Sequence, residues 1–268
     1  PQNLRRKLRD RGSIILTNPD MLHQGILPNH GRWHRFFTNL KYVVIDEVHA
    51  YRGIFGSHLA NVMRRLRRVC AHYGAAPQYI CSSATIANPA EHARRICGQE
   101  LDLVDNNGAP RGPKSFVLWN PPPIDSAAMG RAADWRIGGD RRSAIREAVS
   151  LLAFLVQQGV QTIAFVRTRL AAELIFKQLR DRLRKRSRHL ADAVQAYRGG
   201  YLPEERREIE RRLADREILA VACTNALELG IDIGSLDACV LVSYPGTIAS
   251  LWQQASRAGR GGEESLVF

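Results

Sequence analysis

The chain has 268 residues, 45% of them hydrophobic, and a formal net charge of +13. That length favours one large domain or two medium ones with real cores. The charge points to a polyanionic partner, most often nucleic acid, although a generally Arg-rich composition reads the same way. No apolar stretch approaches the ~18 residues that cross a bilayer, and the basic opening residues are not followed by the apolar segment of a secretory leader. Five scattered cysteines without a C-x-x-C pair fit reduced cytosolic thiols, most of them small core residues.

In chain order, Ser13–Thr17 reads as a strand ending in the turn signal Asn18-Pro19. Lys41–Ile45 is a run of branched apolar residues, the pattern of a fully buried parallel strand. From Gly56 to His72, Leu59, Val62, Met63, Leu66 and Val69 recur at helical spacing. Gln78–Ser82 reads as a strand, Pro89–Cys97 as a helix and Leu101–Val104 as a short strand. Residues 108–143 are rich in Pro and Gly and read as a linker with one strand at Ser115–Trp119.

A second α/β unit follows. Helices are expected over Ala144–Val156, over Leu170–Leu183 with Leu170, Leu174, Ile175 and Leu179 facing the core, and over Pro203–Leu213. Strands are expected at Thr162–Val166, Val194–Tyr197, Ile218–Ala222 and Ala238–Val242. Pro203 with Glu204-Glu205 suits a helix start. Strands alternating with helices predict parallel sheets with right-handed crossovers. The expected division is 1–107, a linker over 108–143, and 144–268. The chain opens at Pro1 and ends in the apolar run Ser265–Phe268, so upstream and downstream parts of the same polypeptide are expected.

The chemistry-bearing residues cluster at predicted strand ends. After Tyr42-Val43-Val44-Ile45 comes Asp46-Glu47-Val48-His49. Open α/β sheets bind ligands at the carboxyl ends of their strands. One carboxylate there can hold Mg²⁺, a hard cation that prefers oxygen, and its neighbour can orient or deprotonate water. Paired acids at a strand end also describe a solvated turn, so the surrounding pattern decides. It contains Thr17-Asn18-Pro19-Asp20, Ser83-Ala84-Thr85, Phe165–Arg169, Thr224–Asp232 and Gln253–Arg260.

In that order these segments resemble motifs Ib, II, III, IV, V and VI of superfamily 2 helicases, over nearly the whole chain. Three longer stretches, D-E-V-H-A-Y-R-G-I-F-G-S-H, Y-R-G-G-Y-L-P-E-E-R-R-E-I-E and Y-P-G-T-I-A-S-L-W-Q-Q, are similar to the bacterial mitomycin-repair helicases and their fungal RecQ-like relatives. The resemblance implies an α/β fold of two RecA-like parallel-sheet domains, the first truncated at its N-terminus. It implies an ATP-dependent DNA helicase or translocase of the bacterial cytoplasm and nucleoid, moving 3′ to 5′ on single-stranded or forked DNA in repair. A zinc-binding domain beyond this chain is implied in the same way. An RNA helicase and a nucleic-acid-binding piece without catalysis remain the alternatives.

The resemblance also implies roles. Asp46 would hold Mg²⁺ on the ATP phosphates and Glu47 would position the attacking water. Arg257 and Arg260 would act from the second domain as arginine fingers. Gly230, Asp232 and Gln253 would face the nucleotide. Ser83 and Thr85 would couple to His49 and link hydrolysis to domain movement, or would simply cap a strand end. Thr17, Asp20, Arg167 and Thr224 would touch the nucleic-acid backbone. Arg180–His189 holds six Arg or Lys, read as a solvated helix face with an extended strand-binding surface as the alternative. Trp252 reads as core, with a base-stacking residue as the alternative. No G-x-x-x-x-G-K-[ST] stretch occurs in these residues, so the phosphate-cradling loop is expected upstream, and the chain by itself is expected to hydrolyse ATP poorly.

Overall fold

The computed structural model describes residues 9–84, 86–110, 112–124, 141–228 and 233–268. The chain divides into two compact units, Pro1–Asn107 and Gly108–Phe268.

In the first unit, β1 (Tyr42–Ile45) and β2 (Gln78–Cys81) pair in parallel, with Tyr42 opposite Gln78 and Ile45 opposite Cys81. A short α1 (His34–Thr38) precedes β1, α2 (Gly53–His72) connects the strands, and α3 (Pro89–Cys97) follows. The helical stripe of α2 is buried: Leu59, Val62, Met63 and Leu66 pack with Ile96, Cys97, Ile45, Tyr79 and Phe37. Pro89 starts α3 and Gly98 stops it at φ +71°, a backbone angle glycine adopts without strain. The five cysteines are free thiols. Cys81 and Cys97 sit 3.5 Å apart, sulfur to sulfur.

Two expected strands do not form. Ser13–Thr17 and Leu101–Val104 pair with no described strand. Leu16 is 95% and Val104 88% exposed. Alternating side chains allow a strand, but only a neighbouring ladder makes one. The strand β1 is also not covered on both faces among the described residues: Tyr42 and Val44 are exposed, as is Ile80 on β2.

The second unit is a six-stranded sheet in the order β3-β8-β7-β4-β6-β5. Its strands are β3 (Lys114–Phe116), β4 (Thr162–Phe165), β5 (Val194–Tyr197), β6 (Ala220–Cys223), β7 (Ala238–Leu241) and β8 (Ser265–Val267), and every pairing among them is parallel. The helices are α4 (Ala144–Gln157), α5 (Arg169–Arg184), α6 (Arg188–Asp192), α7 (Pro203–Ala214) and α8 (Ile248–Ala255). Side chains alternate across β4: Ala164 and Val166 join the core under α4, α5 and α6. Ile163 and Phe165 join the core under α7 and α8. The result is a parallel sheet with helices on both faces, as such sheets require.

Residues within the expected linker supply β3, the edge strand beside β8. Leu170 is 79% exposed and Leu174 39%, so only the Ile175 and Leu179 part of the expected α5 face is core. The stripe begins a turn late because α5 starts at Arg169, past the sheet's edge. Trp252 is not core: it is 47% exposed and meets Phe116 edge-on at 5.5 Å.

Candidate active site

In the first unit the site is built at the carboxyl end of β1. Glu47 sits in the left-handed region, φ 50° and ψ 41°, a strained geometry for a residue with a Cβ. Three ties hold it there. The Glu47 N–H donates to Asp46 Oδ1 at 2.9 Å, the Ser82 hydroxyl donates to the same oxygen, and the Val48 N–H donates to the Ser82 carbonyl at 2.9 Å. Gly56 keeps the following turn tight, since a Cβ there would lie 2.4 Å from the Tyr51 carbonyl oxygen.

Asp46 is exposed, and among the described residues only its Oδ1 accepts hydrogen bonds. Its Oδ2 is therefore open to a hard cation, so the donor chemistry fits Mg²⁺. Among the described residues no group of three or more His, Cys, Asp or Glu side chains gathers as a metal cage.

His49 is buried, 5% exposed. Its Nδ1 lies 3.4 Å from Glu47 Oε2 and accepts the Ala84 N–H at 3.1 Å. Among the described residues, the Ala84 N–H and the Ser82 hydroxyl connect motif III and the residue before it to motif II. The Ser83 hydroxyl donates to the Ala84 carbonyl at 2.8 Å, and the Ser82 hydroxyl faces Asp46. Thr85 lies outside the described residues. Thr17 and Asp20 are exposed, and between them Asn18 Oδ1 accepts the Met21 N–H at 2.8 Å, starting a helical turn.

In the second unit, Arg167 and Thr224 follow the paired strands β4 and β6, whose ends are joined by the Val166 N–H to Cys223 carbonyl bond at 2.8 Å. They share one sheet edge. Arg167 is exposed, whereas Thr224 is only 9% exposed. Gly230 and Asp232 lie outside the described residues.

Motif VI spans α8 and the turn after it. Thr247 caps the helix by accepting the Ser250 N–H at 3.0 Å. Gln253 is half-buried. Its neighbour Gln254, 7% exposed, donates from Nε2 to Glu228 Oε2 at 2.8 Å. Arg257 and Arg260 are placed differently. Arg257 is 2% exposed and donates from Nη2 to the Glu228 carbonyl at 2.6 Å. Arg260 is exposed; its backbone N–H donates to Ser235 Oγ at 3.1 Å and its Nε to the Ser256 carbonyl at 3.3 Å. Lys114 Nζ donates to the Ala255 carbonyl at 2.9 Å and to that of Ala258. It thereby caps the helix end with a cation, while its burial lowers its pKa.

Ser82, Glu228, Gln254 and Lys114 were not visible as site residues in the sequence. Glu228 and Gln254 are 26 residues apart, and nothing in the local pattern pairs them. Ser82 carried a signal, since it directly precedes motif III.

Residues 1–93 match the family described as DEAD/DEAH box helicase, and residues 143–262 match the helicase conserved C-terminal domain. The chain is 50% identical over 265 residues to the uncharacterized ATP-dependent helicase YprA of Bacillus subtilis, covering 99% of this chain and 34% of that protein. It is 42% identical over 270 residues to the ATP-dependent helicase hrq1 of Schizosaccharomyces pombe, covering 100% of this chain and 25% of that protein. The DUF1998 helicase MrfA bound to DNA superposes with a TM-score of 0.91 at 50% identity, over 100% of this chain and 34% of that one. MrfA bound to DNA and AMPPNP gives 0.88 at 49% identity, over 100% and 35%. The chain thus spans a quarter to a third of the length of these relatives.

Proposed function

The chain belongs to the DEAD/DEAH-box helicases of superfamily 2, and from that premise we propose that its polypeptide is an ATP-dependent DNA helicase or translocase. The observation that carries the reading is Glu47: a carboxylate held in a strained backbone conformation beside an exposed Asp46. Such strain persists where the surroundings impose it, and it gathers at functional sites. Relatives solved on DNA and with an ATP analogue favour ATP and DNA as the ligands.

In this reading Asp46 would hold Mg²⁺, which would supply charge neutralisation on the ATP phosphates. Glu47 orients the attacking water and accepts its proton. His49, buried and accepting the Ala84 N–H, ties motif II to the segment after β2. Arg257 and Arg260 would bring positive charge to the γ-phosphate as arginine fingers. Arg257 and Gln254 tie motif VI to motif V at Glu228 and set where Arg260 stands. Gln253, Gly230 and Asp232 face the nucleotide, Ser83 and Thr85 take part in coupling, and Thr17, Asp20, Arg167 and Thr224 face the nucleic-acid backbone, where contacts are sequence-tolerant. The resemblance adds 3′-to-5′ movement and a role in repair in the bacterial cytoplasm.

The test is ATP turnover by the full-length polypeptide with and without single-stranded DNA, beside Glu47→Gln. DNA-stimulated turnover lost in Glu47→Gln supports the reading. Stimulation by RNA alone reassigns the substrate, and wild-type turnover equal to that of Glu47→Gln removes the role given to Glu47.

A further inference from the structure

We propose that the basic stretch of α5 and α6 is a second phosphate-binding surface, separate from the motif-bearing edge and fitted to duplex DNA. Between Lys177 and Arg188 there are seven Lys or Arg and one carboxylate, Asp181. None of those seven cations forms an ion pair among the described residues.

The contrast with α7 is informative, because that helix is equally rich in charge. There Arg211 pairs with Glu208 at 2.8 Å and Asp215 at 2.6 Å, and Arg212 with Glu217 at 3.1 Å. The charge of α7 is cancelled where it arises. The arginines of the basic stretch are held as firmly, but by neutral groups. Arg182 Nη1 donates to Ser150 Oγ at 2.8 Å, and Arg186 Nη1 donates to Gln157 Oε1 at 2.7 Å. Arg180 lies over the Phe176 ring, 4.9 Å from its centroid. Neutral anchors fix the guanidinium groups, so less rotamer freedom is lost on binding, and they leave the whole charge available.

Position separates this surface from the motif residues. The helix α5 begins two residues after Arg167 and has 16 residues, so it carries the chain ~24 Å along its axis. A helix that follows a strand in a parallel sheet runs back toward the strands' amino ends. Arg182, Arg186 and Arg188 therefore lie at the edge opposite Arg167 and Thr224. A dense, unneutralised and sequence-indifferent array of arginines suits a regular phosphate lattice.

The experiment is the salt dependence of binding to a fluorescein-labelled duplex of scrambled sequence, measured by anisotropy on the full-length polypeptide without nucleotide. Three variants are compared: Arg180→Gln/Arg182→Gln/Arg186→Gln, the same positions changed to Lys, and Arg211→Gln/Arg212→Gln. Each phosphate contact contributes about one unit to the slope of log affinity against log salt. The triple Gln variant is expected to lose ~2–3 units of slope and at least about tenfold in affinity at moderate salt. The Lys variant should keep the slope, which shows that charge and not fold is at stake, and the α7 variant should match wild type. An unchanged slope in the triple Gln variant overturns the proposal, as does loss of binding to phosphatidylserine vesicles without loss on DNA. Because no nucleotide is present, failure here leaves the Glu47-dependent reading standing.

Discussion

Replacing Gln254 by Leu removes the amide that donates to Glu228 at 2.8 Å. Both residues are under a tenth exposed. The carboxylate would keep its desolvation cost and lose its donor. Hydrogen bonds to charged groups contribute ~1.5–3 kcal/mol, and a buried partner left without one costs a similar amount. Gln254→Leu is therefore expected to lower stability by about 2 kcal/mol, a large share of a typical domain's margin. Glu228→Gln retains an acceptor oxygen and should cost less. In Gln254→Leu/Glu228→Leu neither group is left unpaired, so the two losses should not add: a coupling energy of ~1–2 kcal/mol is expected for residues in direct contact. Urea midpoints of wild type, Gln254→Leu, Glu228→Leu and the double variant, read at a common slope, give that energy. Native-state hydrogen exchange along α8 tests whether the loss is local to motif VI. Additivity within about 0.3 kcal/mol would show that the bond holds nothing, and with it would go the positioning role given to Gln254.

Ser82→Ala removes the hydroxyl bonded to Asp46 and should reduce DNA-stimulated turnover several-fold with little change in stability; an unaltered rate would place Ser82 outside the machinery. Tyr79 is 4% exposed and its hydroxyl has no hydrogen-bond partner among the described residues, so Tyr79→Phe is expected to raise the melting temperature, by the equivalent of ~1 kcal/mol. Gly259→Ala adds a Cβ 2.4 Å from Ser265 Oγ at a φ of +68° and should destabilise by at least about 2 kcal/mol, measured by urea unfolding. Burial pushes the Cys70 thiol from 9.0 to about 11 and the Cys239 thiol from 9.0 to about 12. Between those values the folded chain keeps protons that the unfolded chain has released. Stability is thus whole below pH 9 and falls as pH rises through the window; a profile flat to pH 11 in wild type would contradict it, and Cys70→Ala/Cys239→Ala should flatten the slope.

The order of elements was legible because each strand and helix carries its own period. Thr162–Phe165 and Ala220–Cys223 are short branched or small apolar runs, and the structure buries every residue of both. The stripe on α2 likewise gave its core face. What was not legible depends on partners distant in sequence. Ser13–Thr17 has the composition of a strand and no described neighbour, while Lys114–Phe116, inside a Pro-rich stretch, gains one in β8. The site divides in the same way. Asp46 and Glu47 announce themselves as adjacent acids after a strand, but the Ser82 hydroxyl that fixes them comes from a different strand. No local pattern marks the difference between Arg257 and Arg260, which share a motif and differ in burial.

That difference orders the parts of the site by mechanical role. Asp46 in the first unit and Arg167 and Arg260 in the second are open to solvent. Behind them stand residues that solvent scarcely reaches: His49 against the Ala84 N–H, Gln254 against the Glu228 carboxylate, and Arg257 against its carbonyl. An exposed charged side chain has many rotamers, and alignment of phosphate, water and charge tolerates few of them. A buried polar tie has one satisfied arrangement, since breaking it leaves an unpaired group in a dry interior. The precision of the exposed groups is therefore set by the buried ones. Changes at Gln254 should then impair turnover without removing a group proposed to touch ATP.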